Sequence, residues 1–420
     1  MKDYSRREFI GTVGLGAAAV ATGYATPSRA ASQPAPLRAL TDSTMPIAAS
    51  ERLARISKLQ MLMQTHGMAA FLVEAGSSLE YFTGVKWRRS ERTTAALIPA
   101  QGKFVIVTPY FEEPSIRETL QIDGDVRTWK EDESPFVLLA NAMREHAAIR
   151  GMLAIEPTTR FFIWDGVNKL LQGAREIARG DVLVSGCRMY KSAAELALMQ
   201  AANNVTIAAI RHLHSHVQRG MSTSDIRTIL VNATSQLGGD HEFSLVLLNE
   251  ASAFPHGSDK PQTVRSGSTI LIDSGCTVHG YQSDISRTWV YGDASQRQRD
   301  LWNTVKRGQE LALENAKLGA PVGTIDSAVR SHYESLGWSK DYMLPGLSHR
   351  TGHGIGMDGH EAPYLVRSDT TPLEPGMCFS DEPGLYVPGE FGVRLEDCWY
   401  MTGQGPKTFT PFAKSLDEPI

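Results

Sequence analysis

The chain has 420 residues, of which 42% are hydrophobic and 21% charged, and its formal net charge is −4. This composition is that of a packed globular protein, and it excludes a disordered or collagen-like chain. The length predicts two or three domains, and a mildly acidic chain without a clustered basic face is not expected to bind nucleic acid.

The first residues of the chain predict an export signal. Arg6 and Arg7 stand in "SRREF", a weakly apolar Gly/Ala-rich run follows, and "PSRAAS" offers small residues for cleavage after Ala30. The apolar run of roughly 14 residues is shorter than the about 20 that a membrane-spanning helix needs. We therefore expect residues 1–30 to be a twin-arginine signal peptide, with export by the twin-arginine machinery, a periplasmic or secreted location and no permanent membrane anchor.

A polar, Pro-containing linker is predicted at residues 31–47, and an α/β domain at residues 48–185. In its first predicted helix Leu53, Ile56, Leu59 and Met63 occupy one face. The patterns of "AAFLVEA", "TTAALIPA", "KFVIVTPY" and "GMLAIE" then predict strands, and those of "SPFVLLANAMREHAA" and "IWDGVNKLLQ" predict helices.

The second domain is predicted at residues 186–412, where Ser192 and Glu195 form a capping-box signature ahead of a long helix. A second helix and strand sequence follow, and the same order recurs later in the chain. Two such halves predict a pseudo-symmetric α+β domain with a cleft between them.

Titratable residues interrupt strand-like or Gly-lined sequence in four stretches of this domain. They are "ILIDSGCTVHGYQSDIS" with Asp273 and Asp284, "LSHRTGHGIGMDGHEAP" with His349, His353 and His360, "MCFSDEPGLY" with Glu382, and "EFGVRLEDCWY" with Glu396. Each alone could cap a turn or face solvent, but separate burial of every group would be costly. A shared site satisfies all of them, because four carboxylates balance the charge of two divalent cations. An oxygen-rich set with one imidazole suits Mn(II), with Co(II), Zn(II) and Fe(II) as alternatives.

The order Asp-(x10)-Asp, HxxGHGIGxxxHE, EPGxY and GVRxED resembles the pita-bread metallopeptidase family, which includes Xaa-Pro aminopeptidase, prolidase and methionine aminopeptidase. The resemblance extends over residues 48–412, since residues 48–185 are similar to a creatinase-type N-terminal domain. It implies an α+β fold class with a C-terminal pita-bread catalytic domain and a smaller creatinase-like α/β domain before it.

The resemblance also implies the metal ligands. Asp273 would hold one ion, His353 and Glu382 the other, and Asp284 and Glu396 would bridge the pair.

Four further residues match substrate-binding or supporting positions of the family. They are His256, His349 and His360, which would contact substrate or support the site, and Arg394, which would orient a metal-bound carboxylate. Two positions depart from the family pattern: Arg350 stands where many relatives have Gly, and Tyr364 where several have Arg. These departures leave the contact to the substrate carboxylate unassigned.

The implied activity is hydrolysis of Xaa-Pro bonds in short peptides by a water activated between two metals. Glu382 would carry the water proton to the leaving nitrogen, and His360 would stabilise the oxyanion. The motifs do not choose between aminopeptidase and dipeptidase, and a related pita-bread hydrolase or lyase acting on a small non-peptide amide or osmolyte is the alternative. By the same resemblance we expect a homodimer.

Overall fold

The computed structural model describes residues 37–146, 149–171, 173, 176–258 and 260–420. The predicted twin-arginine signal and the first part of the predicted linker lie outside the described residues. No helix in the described part of the chain is long and apolar enough to cross a membrane.

A mixed six-stranded sheet with helices packed on it forms the first part of the described chain. Its strands are β1 Met68–Glu74, β2 Ala95–Pro99, β3 Val105–Pro109, β4 Asp125–Trp129, β5 Met152–Ile155 and β6 Ile177–Arg179. Its helices are α1 Ala49–Thr65, α2 Ser77–Thr83, α3 Glu113–Thr119, α4 Pro135–Glu145, α5 Phe161–Leu171 and α6 Asp181–Arg188. The strand order is β4-β3-β2-β1-β5-β6, with β1 antiparallel to β2 and parallel to β5.

Strand β1 is buried along its whole length because helices cover both faces of the sheet. Phe71 and Val73 belong to one apolar cluster with residues of α1, whereas Ala70 and Leu72 belong to another with residues of α4 and α5. Successive side chains of a strand point to opposite faces. A strand covered on both faces therefore shows a continuous apolar run.

Helix α1 differs from its prediction at one edge. Ile56, Leu59 and Met63 are buried as expected, but Leu53 is 53% exposed. Arg52 and Arg55 are buried in its place, and both donate to the carbonyl of Tyr81. The prediction for Leu53 was wrong because hydrogen bonds to α2, and not apolar contacts, fix this edge of the helix.

The second part of the chain contains the remaining elements. Its helices are α7 Ala193–His216, α8 Thr223–Gln236, α9 Gln296–Asn315 and α10 Gly323–Ser335. Its strands are β7 Asp240–Leu248, β8 Ser268–Val278, β9 Tyr281–Gln282, β10 Ile285–Tyr291, β11 Gly352–Gly354, β12 Glu361–Leu365, β13 Cys378–Asp381, β14 Gly384–Tyr386, β15 Gly392–Arg394, β16 Asp397–Thr402 and β17 Gly405–Thr408.

Two helices precede a group of strands twice, as the sequence predicts. One sheet has the order β10-β8-β7 with β9 paired to β8, the other has the order β12-β11-β13-β16-β17, and β14 pairs with β15. Apolar residues of α7 pack on the first sheet, and those of α9 and α10 pack on the second. The capping box of Ser192 and Glu195 at the start of α7 is confirmed.

The sequence patterns do not predict α2 and α6, which have 7 and 8 residues. About two turns are too short to show a helical period. Both helices supply side chains that reach the edge of the candidate site.

Candidate metal centre

The chain reversal between β8 and β10 brings Asp273 and Asp284 together. His279 and Gly280 make this turn with φ angles of 48° and 83°. Strand β10 then runs antiparallel to β8, with Ser286 opposite Asp273. Asp284 immediately precedes β10, so its side chain lies next to Asp273 although they are separated along the chain.

The second sheet supplies the other predicted ligands. His353 lies on β11, Glu382 follows the last residue of β13, and Glu396 precedes the first residue of β16. Asp381 and Asp397 are opposite each other in the β13-β16 ladder, which places Glu382 and Glu396 side by side. The sheets meet where the backbone N–H of Glu396 donates to Ser286 at 3.1 Å.

The structure brings all five predicted metal ligands into one cluster. Potential ligand atoms lie within 4.8 Å of one another in three sets, which are Asp273, Asp284 and Glu396; His353, Glu382 and Glu396; and Asp284, His353 and His360. Asp284, Glu396 and His353 each belong to two sets, and of these the two carboxylates each have two oxygens that could be shared between ions. The grouping of His360 with Asp284 and His353 was not predicted.

The cluster is electrostatically costly for the protein alone. Burial, followed by neighbouring carboxylates, raises the pKa of Asp284 and of Glu396 well above the ordinary value. Burial also raises the pKa of Glu382 to about 8 and lowers the pKa of His353 to about 3. A neutral imidazole and carboxylates are the protonation states that bind metal ions.

Among the predicted ligands, three buried carboxylate oxygens have no hydrogen-bond partner in the described part of the chain. They are Oδ1 of Asp273, Oδ1 of Asp284 and Oε1 of Glu396. Buried polar atoms are almost always paired. Unpaired oxygens directed into one acidic cluster therefore fit the binding of cations.

Arg394 fixes the orientation of Asp273. Its Nη2 donates to Asp273 Oδ2 at 2.6 Å, its Nε donates to Ser286 Oγ at 2.9 Å, and its Nη1 donates to Tyr386 OH at 3.1 Å. Ser286 Oγ in turn donates to Glu396 Oε2 at 2.9 Å. Ser286 and Tyr386 were not predicted as site residues, although Tyr386 is the last residue of the EPGxY motif.

The three predicted histidines line the same cavity of about 660 Å³, together with Arg394 and the five predicted ligands. His349 is held between the hydroxyl of Tyr386 and the carbonyl of Arg350, each at 2.7 Å. The ring of His360 lies 3.8 Å from that of His353, centroid to centroid. Burial lowers the pKa of His349 to about 3 and also lowers that of His360. Both imidazoles are neutral at pH 7.

A buried ion network next to His360 was missed by the sequence analysis. Glu361 forms ion pairs with Arg188 and Lys191, and Arg188 Nη2 lies 2.9 Å from Asp358 Oδ2. Arg188 Nη1 also donates to Ser78 Oγ at 2.9 Å. These contacts hold residues 358–361 from the side of α2 and α6. Glu361 is the last residue of the HxxGHGIGxxxHE motif, but no motif signals its partners Arg188 and Lys191.

Comparison with known proteins agrees with this architecture. Residues 197–403 match Metallopeptidase family M24, and residues 55–190 match the Creatinase/Prolidase N-terminal domain. An Xaa-Pro dipeptidase of Lactobacillus helveticus is 31% identical over 368 residues, which span 86% of this chain and 98% of that protein.

Solved structures show the same fold. A prolidase from Thermococcus sibiricus has a TM-score of 0.79 at 26% identity, covering 86% of this chain and 97% of its own. An X-Pro aminopeptidase from Thermotoga maritima has a TM-score of 0.75 at 25% identity, and the match covers 86% of this chain and 98% of that chain. With its ligand cluster, its two-part fold and these similarities, the chain belongs to metallopeptidase family M24 and carries a creatinase/prolidase-type N-terminal domain.

Proposed function

We propose that this enzyme hydrolyses Xaa-Pro peptide bonds in short peptides, as a dipeptidase or an aminopeptidase. The observation that supports this most is the joint placement of the five predicted ligands, three histidines and Arg394 around one cavity. The names of the similar proteins, an Xaa-Pro dipeptidase, a prolidase and an X-Pro aminopeptidase, point to the same substrates.

The donor set fits two divalent cations, with Mn(II) as the proposed ion. Asp273 would hold one, His353 and Glu382 the other, and Asp284 and Glu396 both. The unpaired buried oxygens of Asp273, Asp284 and Glu396 support this assignment. When bound, such ions polarise a carbonyl and lower the pKa of a water molecule.

The protein's own groups would orient the peptide and move the proton. Glu382 would take a proton from the attacking water and pass it to the leaving nitrogen. His360 would donate a hydrogen bond to the developing oxyanion. Arg394 keeps Asp273 in place. The leaving nitrogen must receive a proton to depart as an amine, and in an Xaa-Pro bond this nitrogen carries no hydrogen that could donate to the protein beforehand.

A substrate panel tests the proposal. Protein stripped of metal and reloaded with Mn(II), Co(II), Zn(II) or Fe(II) is assayed on Xaa-Pro, Xaa-Pro-Yaa and Xaa-Ala peptides. We expect hydrolysis of an Xaa-Pro bond in at least one metal form, much slower cleavage of Xaa-Ala and none without metal. Failure to cleave Xaa-Pro in every form would favour a small non-peptide amide or osmolyte as substrate.

We also propose export by the twin-arginine machinery and assembly as a homodimer. The motif with Arg6 and Arg7 supports export. Replacing both by Lys should retain the protein in the cytoplasm, as measured by cell fractionation, and unchanged export of this variant would contradict the proposal. Light scattering of the purified protein should give twice the chain mass, and a monomer mass would contradict the dimer.

A further inference from the structure

The cavity contains two guanidinium groups, those of Arg350 and Arg394. Every nitrogen of Arg394 is engaged, as its Nε donates to Ser286, its Nη1 to Tyr386 and its Nη2 to Asp273. Arg394 is therefore committed to holding the site together. Arg350 has no task in the hydrolysis proposed above.

Arg350 forms neither an ion pair nor a side-chain hydrogen bond with any residue in the described part of the chain. Its contact is aromatic: the guanidinium carbon lies 4.3 Å from the centroid of the Tyr364 ring. A contact of this kind with a ring takes no N–H donor as a hydrogen bond, so the donors of Arg350 stay available. A half-buried Arg with free donors at a cavity wall can bind an anion.

The position of Arg350 is fixed close to the predicted metal ligands. Tyr364 lies opposite His353 in the β11-β12 ladder, so the ring that supports the guanidinium belongs to the strand next to that ligand. Arg350 also follows His349, whose Nδ1 is 3.9 Å from Glu382 Oε2. Arg350 and the predicted ligands line one cavity, so an anionic group of a substrate bound there would face this unpaired guanidinium.

An anionic substrate needs such a cation in this cavity. Five carboxylates line it, those of Asp273, Asp284, Glu382, Glu396 and Glu242, and its described lining contains no lysine. In a dipeptide the carboxyl carbon is only about 2.5 Å from the scissile nitrogen, because a single Cα separates them. That carboxylate must find its partner on the wall of the same cavity, whereas the carboxylate of a longer peptide lies farther away.

We infer that Arg350 binds the C-terminal carboxylate of a dipeptide substrate, with Tyr364 as the platform that holds its guanidinium, and that the enzyme accordingly prefers Xaa-Pro dipeptides. This assignment rests on the proposed function and makes it more specific. A guanidinium fork accepts a carboxylate through two parallel hydrogen bonds, which a lysine cannot reproduce.

The test compares Ala-Pro with its C-terminal amide, which has the same scissile bond but no carboxylate. Arg350→Gln should raise KM for Ala-Pro by about 10- to 100-fold, the loss expected for a charge-assisted hydrogen-bonded pair. KM for Ala-Pro-amide should stay within about twofold of the parent value on the same reasoning. Arg350→Lys should fall between the parent and Arg350→Gln for Ala-Pro.

Arg367 offers a matched control. Its guanidinium also lies over a tyrosine ring, 5.7 Å from the centroid of Tyr342, but it is paired with Asp341 at 2.8 Å and lies outside the cavity lining. Arg367→Gln should leave KM for both substrates unchanged. Competitive inhibition gives a readout without turnover of the ligand: Arg350→Gln should weaken inhibition by L-proline and leave that by L-prolinamide unchanged.

The possible results distinguish failure of the proposed Xaa-Pro hydrolysis from failure of the role assigned to Arg350. If the parent enzyme cleaves no Xaa-Pro bond, the proposed function fails and the assignment of Arg350 fails with it. If the parent cleaves Ala-Pro but Arg350→Gln affects dipeptide and amide equally, or neither, Arg350 is not the carboxylate anchor and the proposed function stands.

Discussion

Two carboxylates of the ligand cluster, those of Asp284 and Glu396, are buried close to other carboxylates, which lowers the stability of the folded protein. Asp284 and Glu396 are 6% and 1% exposed, and each has another carboxylate within 4.8 Å. Burial and like charges both disfavour ionisation of such groups. A carboxyl whose pKa is raised on folding favours the folded state at low pH and loses this contribution as the pH rises. In the metal-free protein these buried carboxylates therefore lower the free energy of unfolding at neutral pH, and bound cations would offset this loss.

Asp284→Asn should therefore raise the free energy of unfolding of the metal-free protein and lower that of the metal-bound protein. In chelator at pH 7 we expect the free energy of unfolding to increase by about 1–2 kcal/mol, because one buried like charge is removed. With excess Mn(II) the parent should become the more stable protein, since only it retains the full ligand set. Peptidase activity should fall by at least about 1000-fold.

Urea unfolding under both conditions, metal analysis and peptide hydrolysis measure these effects. Asp417→Asn is the control, because Asp417 is 65% exposed and pairs only with Arg299 at the surface. Full activity of Asp284→Asn, or its destabilisation in chelator, would contradict the assignment of Asp284 as a ligand.

Helix α7 shows that a capping box encoded in the local sequence can also form hydrogen bonds to distant elements. Ser192 Oγ accepts from the Glu195 N–H at 3.2 Å, and Glu195 Oε2 accepts from the Ser192 N–H at 2.7 Å, as the sequence predicts. The same Ser192 hydroxyl donates to Glu51 of α1 at 2.8 Å, and Tyr281 of β9 donates to Glu195 at 2.9 Å. The cap therefore joins three elements.

Ser192→Ala should lower the free energy of unfolding by about 1–2 kcal/mol, the usual cost of losing an N-cap. Helix α8 provides the comparison, because Ser222 and Asp225 form a capping box whose side chains bond only within it. Ser222→Ala should cost less than Ser192→Ala in parallel urea titrations. Equal or reversed costs would show that the contact to Glu51 adds nothing.

On the scale of the whole molecule, Arg188 connects the two parts of the chain. Its guanidinium reaches Ser78 of α2 on one side and Asp358 and Glu361 on the other. Burial alone would raise the pKa of Glu361, but the charges of Arg188 and Lys191 lower it from 4.5 to about 2. The network thereby holds the segment that carries His360.

The lowered pKa of Glu361 predicts how the free energy of unfolding depends on pH. A carboxyl whose pKa is lower in the folded state stabilises that state above its unfolded pKa, and the contribution is lost as the pH falls. Glu361→Gln should cost about 3 kcal/mol at pH 7, and the cost should diminish between pH 4.5 and about 2.

Urea unfolding of both proteins at pH 7 and at pH 3 measures the difference. Glu131→Gln is the control, since Glu131 is exposed and its pair with Arg92 is screened by solvent. A cost of Glu361→Gln that does not change with pH would exclude an ionic origin.

The alternation of helices and strands, the capping box and the types and order of the predicted ligands can all be predicted from the amino-acid sequence. These features are encoded locally, in periodicity, in end signals and in motifs whose spacing is short. The export signal, the metal identity, the dimer and the domain boundaries stay predictions.

Which distant residues contact each other is visible in the folded chain and not in its sequence. The fold placed Ser286 opposite Asp273, His360 against His353 and Arg350 over Tyr364. It also exposed Leu53, which the helical period had assigned to the core. Such contacts depend on strand pairing, register and helix packing across more than one element, and no local pattern of side chains encodes the distance between the residues.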